Sequence, residues 1–263
     1  MKHPILFLSA VVVLLGVLPF SLIAQQRGAA APAAAPPPPP TARNAAPIDL
    51  TGYWVSMVTN EWRWRMLTPA KGDYATIPIN AEARKVADSW DPARDEASGN
   101  QCRSYGAAII MQVPGRLHIT WANDNTLKLD TDAGTQTRLF NFGSTPQSTG
   151  EPTWQGNSAA EWQIARGRGR EVQAQSAPAR SGTLKVVTRG MRSGYLRKNG
   201  VPYSEKAVVT EHFNRVSGPG GDYLNVLVVV DDPMYLTGPY ARSMQFRREP
   251  DGAKFKPEPC SSR

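Results

Sequence analysis

Between Arg116 and Phe142, apolar and polar residues alternate with a period of two, the pattern of half-buried β-strands. Turn chemistry interrupts the ribbon at Asn123-Asp124-Asn125 and at Asp132-Ala133-Gly134. A three-residue first loop, with Asn125 in the left-handed conformation that Asn tolerates, sets Trp121 opposite Leu127 and Ile119 opposite Leu129. The other side then carries His118 opposite Asp130 and Arg116 opposite Asp132. A two-residue loop would face Trp121 with Lys128, because a slip of one residue exchanges the two faces. If the second turn also has three residues, with Gly134 left-handed, Gln136 joins the row of His118 and Asp130. Lys128 then lies opposite Arg138, an unfavourable pairing. Either the second turn is longer, or this face holds something negative.

The same reading extends along the chain. Gly52-Tyr53-Trp54 and the residues to Val58 open the first strand. In the run from Glu61 to Met66, strand spacing places Trp62, Trp64 and Met66 on one face and Arg63 and Arg65 on the other. Aromatic rings interleaved with cations could bind an anionic ring compound; the plainer alternative is a core face backed by a solvated cationic one. Residues 80–90 form a helix, with Asn80 as N-cap, Glu82 in the first turn and Ala83, Val86, Ala87 and Trp90 on one face; Pro92 ends it. Short strands follow over 108–113, 183–189, 194–198, 207–216 and 244–248, with Asn199-Gly200 as a hairpin turn. Residues 223–230 are apolar at both parities, which predicts a central strand covered on both faces. Nine or ten strands with short turns predict an all-β fold, an antiparallel closed barrel with one short outer helix, and a β-sandwich as runner-up.

The first residues belong to targeting. Lys2, the apolar run 5–23 and the small Ala24 predict a signal peptide over 1–24, an uncleaved anchor being the alternative. Residues 25–47 are Ala/Pro-rich, with Pro36 to Pro40 consecutive, and predict a disordered linker; 48–263 is a single β-barrel domain. Secretion to the periplasm or beyond makes a bridge between Cys102 and Cys260 the expected state of the two cysteines. In the chain-entropy model a loop of that span contributes up to about 5 kcal/mol. Two cysteines and three histidines do not make a zinc site of the usual kind, and no metal or cofactor is expected. The net charge of +8 would suit nucleic acid, but an exported protein meets anionic envelope components instead, with which a weak association is expected. Part of that charge lies in Arg166, Arg168 and Arg170, read as a solvated insertion.

Gly52-Tyr53-Trp54 at the head of the first strand resembles the opening motif of lipocalins and related calycin barrels. Gly221-Asp222-Tyr223 resembles the family's second motif. The likeness implies that Trp54 packs across a closed barrel end, with Arg247 or Arg248 stacked on it. The region from Asp49 to Cys260 also resembles uncharacterised exported proteins of environmental bacteria, in runs such as GTQTR at 134–138 and RKNGVPY at 197–203.

Neither a nucleophile elbow, nor a glycine-rich phosphate loop, nor an H-E-x-x-H motif occurs. The catalytic candidates are His118 oriented by Asp130, and Glu211, which must point away from its neighbour His212 on a strand. The candidates for binding are Trp62, Trp64, Trp121 and Trp154 as walls, with Gln136 and Arg138 as the polar groups that orient a ligand. Three functions stay open. The first is an exported lipocalin-like binder of a small apolar or aromatic molecule, anionic in one version. The second is a barrel enzyme using His118 or Glu211 as base, and the third a cell-envelope interaction protein.

Overall fold

The computed structural model describes residues 39–144, 150–164 and 181–262. The predicted signal peptide, the linker up to residue 38 and the arginines at 166–170 lie outside them. Nine strands close a barrel. They are β1 (Gly52–Met57), β2 (Arg116–Asn123), β3 (Thr126–Thr131), β4 (Gln136–Phe142), β5 (Asn157–Ile164), β6 (Gly182–Arg189), β9 (Val208–Gly218), β10 (Gly221–Asp231) and β11 (Tyr240–Glu249). Their order is β1-β11-β10-β9-β6-β5-β4-β3-β2, closed by pairing of β1 with β2. Closure removes the sheet edges and with them the sandwich alternative. The barrel is mixed rather than wholly antiparallel, because β4 runs parallel to β5 from Phe140 to Phe142. A hairpin of β7 (Gly194–Arg197) and β8 (Val201–Tyr203) forms a separate sheet around the expected Asn199-Gly200 turn.

The ribbon shows how turn chemistry sets faces. The pairs Trp121 with Leu127, Ile119 with Leu129 and His118 with Asp130 are those the pattern predicts. They arise by another route: a bulge between Trp121 and Asn123 lets Asn123 pair with Thr126, and Asn125 is not left-handed. The second turn is longer than three residues. Gly134 and Thr135 both have positive φ, and Thr131 pairs with Gln136, Leu129 with Arg138 and Lys128 with Leu139. That extra residue moves Gln136 and Arg138 off the row of His118 and Asp130 and turns them inward, which removes the predicted clash of Lys128 with Arg138. Gly134 is obligatory here, since a Cβ would lie 2.3 Å from the ring of Tyr105.

Among the described residues, three short helices stand where one was expected: α1 (Trp62–Arg65), α2 (Ala81–Asp88) and α3 (Pro92–Ala97). α2 is the predicted helix, its Asn80 side chain accepting from the Ala83 amide at 2.9 Å. Pro92 stands at the start of α3, where its missing N–H costs nothing. Residues 61–66 are not a strand, and residues 110–112 make a 3-10 turn inside a continuously buried run instead of a strand. β10 buries one face only: Leu224, Val226, Val228 and Val230 point in, while Leu227 is 42% exposed.

The barrel interior is filled by side chains, with Phe140 and Phe213 5.5 Å apart at its middle. Trp54 is fully buried; its indole donates to the Leu50 carbonyl at 2.9 Å, and the Arg248 guanidinium covers its ring at 5.6 Å. Trp121, Phe142 and Trp162 cluster at centroid distances of 5.8 and 5.3 Å. Part of the expected linker lies against these strands: Trp162 donates to the Ala42 carbonyl and the Arg43 amide to that of Asp124. Cys102 and Cys260 are bonded, tying the C-terminal strap to the turn before Tyr105.

Candidate anion pocket

Among the apolar side chains inside the barrel sits a small polar cluster, complete but for the Arg138 Nε, which has no hydrogen-bond partner. Arg138 on β4 meets Glu211 on β9 in a fork, at 2.8 and 2.5 Å, and both are almost wholly buried. Arg138 also donates to Thr188, which shares a hydrogen bond with Ser158 at 2.7 Å. Phe140 lies beneath the guanidinium at 4.9 Å. Both oxygens of Glu211 are therefore committed to a permanent cation inside a packed core. That arrangement suits a strut between two walls of the barrel better than a base or a ligand group.

The outer row does not assemble a base either. His118 stacks on Tyr53 at 4.1 Å with parallel rings, and Phe255 meets it edge-on at 6.0 Å. Burial lowers the His118 pKa from its ordinary value, a pull that Asp130 opposes. Asp130 spends its oxygens on Thr137 at 2.6 Å and Lys128 at 2.7 Å, and no hydrogen bond joins it to His118. Gln136 is taken up by the turn it follows, donating to Gly134 and accepting from Gln155 at 2.9 Å. Trp62 is 62% exposed on α1, and Trp154 is covered by Arg192 at 4.2 Å outside the barrel. The predicted site residues thus do not come together in one place.

One of them, Trp64, belongs to a pocket that the sequence marked without locating. Glu61 is left-handed at the head of α1, and its carbonyl accepts from the Trp64 and Arg65 amides. Helical spacing then separates the two arginines that a strand would hold on one face: Arg63 stays in solvent and Arg65 turns inward. Arg65 is 6% exposed; its Nε donates to the Gln112 carbonyl at 2.9 Å and its Nη1 faces the Met57 carbonyl at 3.4 Å. Its Nη2 has no hydrogen-bond partner. Gln112 is as deeply buried; its Oε1 accepts from the Tyr240 hydroxyl at 3.1 Å, and its Nε2 likewise has none.

Arg197, the last residue of β7, closes the other side. It donates to the carbonyls of Asp73 and Ala75 and to the Thr76 hydroxyl, and lies over the Trp64 ring at 4.7 Å. Trp64 is fixed in turn by its indole bond to Asp73 at 3.0 Å. Lys198, Leu196, Ile109 and Val113 complete the lining, and the one carboxylate in it, Glu61, is paired with Arg242 at 2.8 Å. The free space at the centre is about 20 Å³, room for a group of water size.

The electrostatics follow from this lining. Burial lowers the pKa of Arg65 and of Arg197, with Glu61 opposing it for Arg65 and Tyr240 for Arg197, and burial raises that of Tyr240. A guanidinium stays charged nonetheless, so two permanent cations stand in a poorly hydrated place with mainly neutral acceptors around them. Cations with spare N–H donors can interact with an acceptor-only group, of which an ionised carboxylate is the simplest.

Sequence patterning flagged Trp64 and Arg65 but gave them strand geometry; it did not flag Gln112, Arg197 or Tyr240. Two consecutive cations, Arg197 and Lys198, just before the turn of an otherwise buried hairpin were the available signal. Among the described residues, no group of three or more His, Cys, Asp and Glu side chains could hold a metal ion. No family model, curated protein or solved structure matches the chain.

Proposed function

We propose that this protein is an exported, calycin-related barrel that binds a small aromatic anion, its carboxylate anchored between Arg65, Gln112 and Arg197. The observation that carries the reading is the pair of buried N–H donors, Arg65 Nη2 and Gln112 Nε2, left without an acceptor on the walls of one pocket. A buried donor left unsatisfied costs about 1–3 kcal/mol, which a ligand oxygen recovers on binding. Trp64 and Tyr240 supply flat apolar walls beside the cations. Contact of Arg248 with Trp54 supports the calycin relationship, and the apolar run at 5–23 supports export.

The central space is of water size and admits one carboxylate oxygen, so the rest of the ligand lies outside it, toward the adjoining cleft formed by Met66, Tyr105 and Pro114. Titration calorimetry with benzoate, acetate and benzyl alcohol tests this. Benzoate should bind, acetate more weakly, and the uncharged alcohol not at all. Gln112→Leu keeps the volume and removes the donor, and should weaken benzoate about tenfold, the lower end of the range for a lost charge-assisted bond. Equal binding of benzyl alcohol and benzoate would refute the anchor.

A further inference from the structure

Three clefts run into one another on this side of the molecule. The anchor pocket shares Arg65, Val113 and Lys198 with a second, wider cleft. That cleft shares Pro114, Ala133 and Glu258 with a third. The third is lined by Arg116, Lys254 and Lys256. Shared walls set the three side by side as one grooved face, with cations in the lining of each.

Its far wall is a stretch of chain held firmly at several points. Phe255 packs on Tyr53 at 5.9 Å and on His118, and its amide bonds the Gly252 carbonyl. Lys254, in the turn before Phe255, and Lys256, just after it, both line the third cleft. The Glu258 amide donates to the Asp132 carbonyl, and its own carbonyl accepts from Thr135. Cys260 then fixes the strap through the disulfide. Among the described residues neither Lys254 nor Lys256 has an ion-pair partner, and both are exposed.

We infer that the groove takes an extended acidic oligosaccharide, a chain of uronic acid residues with one carboxylate in the anchor pocket and others at Lys254 and Lys256. This rests on the anion reading of the pocket and extends it from a single acid to a polymer of them. The chemistry of the lining selects carboxylated sugar over a phosphate polymer. Glu258 stands exposed among the cations, whereas Glu61 and Asp132, which also line the clefts, are taken up by Arg242 and by the Arg116 and Ala133 amides. The Glu258 carboxylate can accept from ring hydroxyls, which every uronate carries beside its charge and a deoxyribose phosphodiester lacks along its length. Tyr240, Trp64 and Tyr105 offer ring surface beside the cations.

The test compares galacturonate, its linear trimer, the fully methyl-esterified trimer and a single-stranded trinucleotide by calorimetry at several salt concentrations, with wild type and the double variant K254Q/K256Q. Both lysines are exposed, so the variant keeps the fold, which a melting curve verifies. The trimer should bind at least tenfold more tightly than the monomer, and the ester should lose that gain. The variant should lose most of it too, with a shallower salt dependence, while its affinity for the monomer stays as in wild type. If the monomer binds and the trimer binds no better, the groove inference fails and the anchor pocket stands. If neither binds, both fail. A trinucleotide that outcompetes the trimer overturns the choice of carboxylated sugar.

Discussion

Arg138 in the barrel and Arg65 in the outer pocket are buried to almost the same degree, at 1% and 6% exposure, yet their surroundings differ in kind. Arg138 faces a carboxylate in a bidentate fork. Arg65 faces backbone carbonyls instead; each leaves one nitrogen without a hydrogen-bond partner, Nε of Arg138 and Nη2 of Arg65, so the counter-ion is what separates them. A buried cation that carries its own counter-ion is part of the frame. One that lacks it leaves its charge to neutral acceptors, and on this the anion proposal rests. Burial alone does not distinguish them; the partner does.

The largest expected effect breaks the frame. Glu211→Gln leaves Arg138 charged and half-paired in the core and should destabilise the fold by about 3–5 kcal/mol, read as a fall in the denaturant midpoint. Arg65→Met, by contrast, removes a cation that was never fully paired. It should lower the midpoint far less than Glu211→Gln, while benzoate binding disappears. Equal destabilisation by the two variants would erase the distinction between them.

Reduction of the Cys102–Cys260 bridge, or Cys260→Ser, comes next. It should cost about 2–5 kcal/mol in the same assay. The bridge holds the strap that walls the open groove, so binding of long anions should weaken even at temperatures where the barrel stays folded. Unchanged groove binding after reduction would show that the strap is held by its backbone contacts alone.

The smallest effect is a pH dependence at His118. Burial holds its folded pKa below the unfolded value, so between the two the unfolded chain binds the extra proton. Stability should decline as the pH falls through about 6.5, the unfolded value, and level off once it passes the folded one. His118→Gln should flatten that slope in a denaturation series from pH 7.5 to 4.5. An unchanged slope would assign it to other groups.

Much of the barrel is legible in the alternation of residues 116–142, because a strand with one dry face repeats every second position and the turns are written in Asn, Asp and Gly. The inner partners Ile119, Leu127 and Leu129 follow from that alone. The faces of Gln136 and Arg138 do not, since they depend on whether the second turn spends three residues or four, and Thr135 in the left-handed region carries no sequence mark. The pocket was hidden for a different reason. Its residues come from α1, the 3-10 turn at Gln112, the β7–β8 hairpin and the start of β11, which are far apart in the chain, and α1 has a pattern that fits a strand equally well. The parallel pairing of β4 with β5 is likewise a property of the connection between them and not of either strand.

The central claim is that an anion enters beside Arg65 and not the barrel. The seven tryptophans give separate indole N–H signals in a ¹⁵N-labelled protein, and a benzoate titration followed by NMR reads them one by one. Trp64, whose indole is fixed on Asp73 at the pocket wall, should shift with a saturating curve, while Trp121 and Trp162 at the barrel strands stay in place. Movement of Trp121 and Trp162 with Trp64 unchanged would contradict the account and return the ligand to the barrel.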